Sequence, residues 1–184
     1  MEEDTNPHEI REQIEQFEEA AKEWRTWLAL TTALIAVVAA VISLVSGYYA
    51  DRSLLEKNNA VLLQSKASDQ WSYYQAKGVK KNVAEGFAGL QNDEKLKKVA
   101  ERYAGEQEEI KTKAEELEHQ VKEANDLSSE LFEKHHRLAM GVTLLQIAIA
   151  LSAMSALLNR KSFWVFSVVT CVAGIIFACG GVFS

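Results

Sequence analysis

The densest group of side chains able to do chemistry lies between Ser68 and Lys80, where Asp69, Gln70, Trp71, Tyr74, Gln75, Lys77 and Lys80 share about three helical turns. A carboxylate, two amides, an indole, a phenol and two ammonium groups at this density suit recognition, because Trp and Tyr bring contact area with a polar tip. Two readings stand side by side: the segment receives a partner helix or ligand, or it forms a packing layer between subunits. Neither is catalysis. No serine, cysteine or lysine sits in a nucleophile elbow or phosphate loop, so no catalytic or cofactor-binding residue is expected and the chain reads as a non-enzyme. His135 and His136 are adjacent and diverge on a helix, and His119 lies sixteen positions back, whereas two metal ligands on one helix need spacing of three or four. No metal or other cofactor is expected.

Gln146 is the other chemically distinctive residue, because it is the most polar side chain inside a charge-free window and has Thr143, Ser152 and Ser155 for company. It either hydrogen-bonds across a helix interface or, around an oligomer axis, lines a neutral pore. The charge-free windows hold no carboxylate or cation of the kind that couples transport to protons or charge.

These residues need elements to position them. The 184 residues are 48% hydrophobic and 25% charged with a net charge of -6, averages that suit a soluble domain. The distribution does not. Thr26 to Ala50, Leu138 to Asn159 and Ser162 to Ser184 carry no charge, and each is long enough to span a bilayer, which takes about 20 apolar residues. We expect an all-α membrane protein with transmembrane helices at 27–50, 138–159 and 162–184. An acidic amphipathic helix over 1–26 precedes them, and an extramembrane helical hairpin over 51–137 separates the first two. The acidic start and the length of the first run disfavour a cleaved signal peptide. Residues 1–25 hold nine acidic and three basic side chains, and no basic stripe occurs elsewhere, so nucleic-acid binding is excluded and anionic-lipid recognition lacks support. Cys171 and Cys179 are eight apart on one helix and cannot bridge.

Asn6, Pro7 and Glu9 form a helix-start signal, followed by a narrow apolar seam of Ile10, Ile14, Phe17, Ala21, Trp24 and Leu28. Trp24 and Trp27, then Tyr48 and Tyr49, mark the two ends of the first span. Small residues repeat every four positions at Thr32, Ala36 and Ala40, at Ala39, Ser43 and Gly47, at Ala148, Ser152 and Ala156, and at Thr170, Gly174 and Ala178. Such strips let helices pack closely in lipid.

Asp51 leaves the apolar region and Arg137 re-enters it, so the middle returns to the surface it left as two arms. The turn is expected within 86–93, with Gly86 and Gly89 ending one helix and Asn92 or Asp93 capping the next. Ser65 to Asp69 is a candidate break in the first arm, and Tyr103-Ala104-Gly105 a candidate kink in the second. On the returning arm Leu96, Tyr103, Ile110, Leu117, Ala124, Leu131 and Leu138 recur every seven residues. Its partner line of Val99, Glu106, Lys113, Gln120, Leu127 and Lys134 is mixed. The outgoing arm offers Leu55, Leu62, Tyr73, Ala76, Val83, Phe87 and Leu90 to face it in an antiparallel, coiled-coil-like hairpin. That register sets Lys77, Lys80 and Lys81 near Glu101 and Glu106.

The run Asp69-Gln70-Trp71, then Tyr74-Gln75-Ala76-Lys77 and Lys80, resembles the signature of the bacterial membrane-protein family called domain of unknown function 4337, and the layout of spans and charged middle is similar across nearly the whole chain. The family has no established activity to carry over. The resemblance implies a multi-pass protein of the bacterial inner membrane, with the matched positions as assembly or partner residues. From the hairpin seams and the small-residue faces of the spans, the expected function is a homo-oligomeric integral membrane scaffold or interaction protein, embedded in the lipid bilayer and open to an unidentified protein partner. The alternative is an oligomeric channel with a neutral polar pore. Near-membrane cations tie between the two sides, and the cation-free C-terminus tips the orientation towards a cytoplasmic N-terminus with the hairpin outside.

Overall fold

A computed structural model of the chain describes residues 7–183. The N-cap expected at Asn6 lies outside them, and the side chains of Ile10, Ile14, Phe17 and Ala21 are likewise not described. The described residues are helical in three elements: α1 (Pro7–Gln91), α2 (Glu94–Leu158) and α3 (Lys161–Phe183). All three are long and apolar enough to cross a membrane. Two compact units are formed, one from Met1–Tyr49 with Glu133–Ser184 and the other from Ala50–Phe132.

In the Ala50–Phe132 unit, α1 and α2 meet through small side chains. Ser53, Ala60, Ala67, Ala84 and Ala88 are buried on α1, and Ala100, Ala114, Ala124 and Ser128 on α2, with Ile110, Val121 and Leu131 as the larger members. The backbones come so close that each serine reaches the opposite main chain: Ser53 Oγ donates to Ser128 O at 2.8 Å, and Ser128 Oγ donates to Ser53 O at 2.9 Å. Bonded pairs Ser53–Ser128, Tyr74–Gln107 and Ala88–Asp93 have residue numbers that each total 181, so one register runs outward from the turn.

This contact line differs from the one the spacing of large residues suggests. Leu55, Leu62, Tyr73, Ala76, Val83, Phe87 and Leu90 do not face α2 but lie exposed. The second buried line on α2 is Ala100, Ala114, Val121 and Ser128, one position beyond the mixed line of Val99, Glu106 and Lys113. The reason is packing distance. Alanine and serine allow close backbone approach, and the added dispersion contacts and cross-chain hydrogen bonds outweigh the burial that leucines would gain at a wider separation.

The turn is equally specific. Gly86 and Gly89 do not end α1, which continues to Gln91; Asn92 takes the left-handed conformation at φ 52°, and Asp93 N–H donates back to Ala88 O at 3.3 Å. That pairing closes the helix in a Schellman arrangement, with Asn in the position usually given to Gly. Asp93 then caps α2, its Oδ1 accepting from Lys95 N–H at 2.8 Å. Neither Ser65–Asp69 nor Tyr103–Gly105 interrupts its helix, and Ser72 Oγ donates to Ser68 O within the continuous helical turn.

In the unit built from Met1–Tyr49 and Glu133–Ser184, the core is Ile35 and Ala39 of α1 against Leu145 and Ala148 of α2, with Val38, Ile42, Ile149 and Cys171 around it. Asn159 at φ 51° lets the chain reverse into α3, and Ser155 Oγ donates to Arg160 O across that reversal. Only part of each small-residue strip is used inside the chain. Thr32, Ala39, Ala148, Ser152, Gly174 and Ala178 pack inwards, whereas Ala36, Ala40, Ser43, Gly47 and Ala156 are exposed. The closest approach is between α2 and α3, where a Cβ on Gly141 would stand 2.9 Å from Gly174 O and from Ala178 Cβ.

These glycines make opposite predictions. Gly141→Ala should lower the melting temperature of the purified protein, because the obstruction is backbone that cannot yield. Gly86→Ala should raise stability by about 0.5–1 kcal/mol, since a helical Cβ there meets nothing within 4 Å and the unfolded chain loses freedom. Thermal unfolding followed by circular dichroism checks both signs.

Candidate interaction site

The Ser68–Lys80 segment of α1 lies within the Ala50–Phe132 unit, and helical geometry splits it into two faces. Gln70, Trp71, Tyr74 and Lys77 are half-buried, whereas Asp69, Gln75 and Lys80 are exposed. The first face is joined to α2. Trp71 Nε1–H donates to Glu118 Oε1 at 2.7 Å, and its ring meets the Tyr74 ring edge-on, with centroids 5.5 Å apart at 81°. Gln107 Nε2 donates to Tyr74 O at 3.2 Å. Gln107 fits because Gly78 lies beneath it: a Cβ on Gly78 would come 2.7 Å from the Gln107 amide nitrogen.

Lys77 is the centre of the cluster. Its side chain is only 13% exposed, its Nζ donates to Glu106 Oε2, and it stands 5.3 Å from the Tyr73 ring centroid and 5.1 Å from that of Tyr103. An ammonium between two aromatic faces keeps favourable electrostatics where water is partly removed. Arg102 completes the group, 5.2 Å from the Tyr103 ring and 3.5 Å from Glu106 Oε1. Glu106 is held below the ordinary carboxylate range, first by the hydrogen bond from Lys77 and then by the charges of Lys77, Arg102 and Lys80, against the opposing effect of desolvation. Lys77 is held above its ordinary value, first by the hydrogen bond to Glu106 and then by Tyr73. Lys81 does not join them; it pairs with Glu85 on its own helix at 3.8 Å.

Chemically this is a clamp. The Trp71 indole, the Tyr74 carbonyl and the Lys77 ammonium on the inner face are each matched by a group on α2, and no group of three or more metal-ligating side chains occurs among the described residues. Gln107 and Glu118 are clamp members that spacing alone does not pick out. Their signal is the register that Asn92 sets, which brings each opposite the 71–78 stretch. His135 lies in the other unit, with Nδ1 3.0 Å from both Ser46 Oγ and Ser46 O. Gln146 is exposed on α2, on the same face as exposed Thr143, whose hydroxyl bonds Ala139 O in its own helix.

The pKa directions give the clamp a pH signature. A carboxyl depressed in the folded state contributes stability above its unfolded pKa and loses it as pH falls through the folded one; the raised ammonium contributes below its ordinary value and loses its share as pH rises through the folded one. The melting temperature should therefore fall at both extremes, and Glu106→Gln should flatten the acid limb while leaving the neutral plateau shallowly lower. Melting curves of the two proteins across the acid range measure the difference.

A family model matches residues 24–184, and the family is described as Domain of unknown function (DUF4337). No curated protein and no solved structure matches the chain.

Proposed function

The chain belongs to the DUF4337 family, and on that premise we propose that it is a homo-oligomeric membrane scaffold of the bacterial inner membrane. Its Ala50–Phe132 segment acts as an antiparallel helical hairpin that binds a second copy. The observation that carries this reading is the outer face of α1. Leu55, Leu62, Ala76, Val83 and Leu90 fall every seven residues with Asp69 completing the line, and Leu62, Val83 and Leu90 are 54%, 52% and 84% exposed with Tyr73 and Phe87 beside them. Contiguous large apolar side chains on a water-facing unit mark an interaction surface. Seven-residue spacing suits a helix partner, and two copies anchored in one membrane present the same face at the same height.

The outer face of α2 is no rival, since Glu108, Glu109, Lys113, Glu115, Glu116, Lys122 and Glu123 populate it. Within the spans, exposed Ala40, Ser43 and Gly47 supply close-packing surface for the same partner. The N-terminus is assigned to the cytoplasm and the hairpin to the outside.

One crosslinking experiment tests both assembly and side. With Cys171 and Cys179 removed, a single cysteine replacing Gln91 should be joined to its copy by a membrane-impermeant bifunctional reagent added to intact cells. Leu62→Asp with Val83→Asp should abolish the dimer band, and Asp69→Leu should strengthen it by removing a charge from the seam. A product seen only after lysis overturns the orientation. No product in either case overturns the self-association.

A second reading, an oligomeric channel, is favoured by Gln146 and Thr143 exposed one turn apart on α2, which around an oligomer axis form a neutral polar lining. Ion flux through liposomes containing the protein that changes on Gln146→Leu supports it; the absence of flux removes it.

A further inference from the structure

In the unit of Met1–Tyr49 and Glu133–Ser184, α1 and α2 leave an open groove of about 790 Å³ between them. Small side chains make it: Ala29, Ala33 and Ala36 form one wall, and Ala153 and Ala156 the other. Its walls are apolar. The two hydroxyls on the floor, Thr32 and Ser152, hydrogen-bond to each other, so the floor asks nothing polar of an occupant. At one end stands the exposed guanidinium of Arg25, and Ala29 continues from the groove into a recess lined by Lys22, Arg25 and Glu18. Among the described residues, Arg25 is the one charged side chain lining the groove itself, beside a channel of hydrocarbon character, while Lys22 stands in the adjoining recesses among Glu18, Glu19 and Glu23.

An apolar trough with a cationic mouth fits an amphiphile with an anionic head. We propose that this groove binds one anionic phospholipid, with its phosphate on Arg25 and Lys22 and an acyl chain laid along Ala29, Ala33 and Ala156. The inference rests on the membrane reading, because lipid is then the surrounding solvent and a groove in contact with it fills with chains. Charge selects the occupant. A zwitterionic lipid brings its own cation against Arg25 and Lys22, whereas a soluble phosphate leaves the apolar walls uncovered. A second copy placed face to face at this level brings the same two cations and repels.

The test uses the full-length protein purified in a neutral detergent. Phosphatidylglycerol and phosphatidylcholine with identical chains are titrated in turn, and glycerol phosphate serves as the headgroup without chains; retained lipid is counted by native mass spectrometry. We expect phosphatidylglycerol to be retained about fivefold more strongly than phosphatidylcholine, the factor one near-surface cation supplies, and Arg25→Gln to remove that preference. Ala33→Leu, on an exposed position that fills the trough, should reduce retention of both lipids with helicity and melting unchanged. Equal retention of the two lipids, a preference indifferent to Arg25→Gln, or glycerol phosphate competing as well as the whole lipid each overturns the site. A chain recovered in solution without any detergent overturns the membrane reading itself and the groove with it; lipid indifference in a detergent-requiring protein overturns the groove alone.

Discussion

Close approach of helix backbones is the constraint on which this molecule depends. Two helices can sit near enough for a serine hydroxyl to reach the opposite main chain only where the residues at the point of closest approach are small. The reciprocal bonds between Ser53 and Ser128 record that distance directly. The alanine line of the Ala50–Phe132 unit and the glycine contact of Gly141 with Gly174 in the other unit are two uses of one device. Once the inner line is small, a chain nearly half hydrophobic must carry its large apolar side chains elsewhere. They end up facing outwards in both units.

The polar groups follow from the same closeness. In a low-dielectric contact an unmatched hydroxyl or amide is costly, so each buried one reaches a partner: Ser167 donates to Ala148 O at 2.7 Å, and Trp164 Nε1 donates to Thr31 Oγ1 at 3.2 Å. Edge-on contact of Trp24 with Trp164, and Lys161 over the Trp24 ring, gather aromatic and cationic groups at one end of the apolar helices. The Lys77 cluster is the counterpart in the charged unit, with an ammonium, a carboxylate and two phenol rings in the place of a hydrophobic layer. Its energy is modest because it is wetted by solvent, and its value lies in register: only one alignment of α1 and α2 matches Trp71 with Glu118, Lys77 with Glu106 and Gly78 with Gln107.

The proposed function rests on a division of faces. The inner face of the 69–80 segment is spent on α2, and its outer face, Asp69 with Tyr73 and Ala76, continues the line of Leu62 and Val83. The inner side of this helix packs on α2 within the chain, and the proposed partner surface lies on its opposite side. The groove beside Arg25 adds a second outward-facing feature, built by alanines where larger residues would have closed it.

The composition blocks by themselves determined the helical class, the three apolar helices and a reversal close to residue 90, because long charge-free runs without proline suit helices of bilayer-spanning length; the family was legible from the motif at Asp69-Gln70-Trp71, Tyr74-Gln75-Ala76-Lys77 and Lys80, whose resemblance the family match bears out. The pairing of Lys77 with Glu106 was also legible, since it needs only the position of the turn. What only the tertiary structure decided was which of two seven-residue lines faces inwards. Periodicity identifies faces of a helix but does not rank them, and reading by size favours Leu55 and Leu62 over Ser53 and Ala60. The winning line is set by the distance between two backbones, a quantity that no single helix contains. The same holds for the helix end, which falls at left-handed Asn92 and not at Gly86 or Gly89, a choice among three candidates that only the three-dimensional turn resolves.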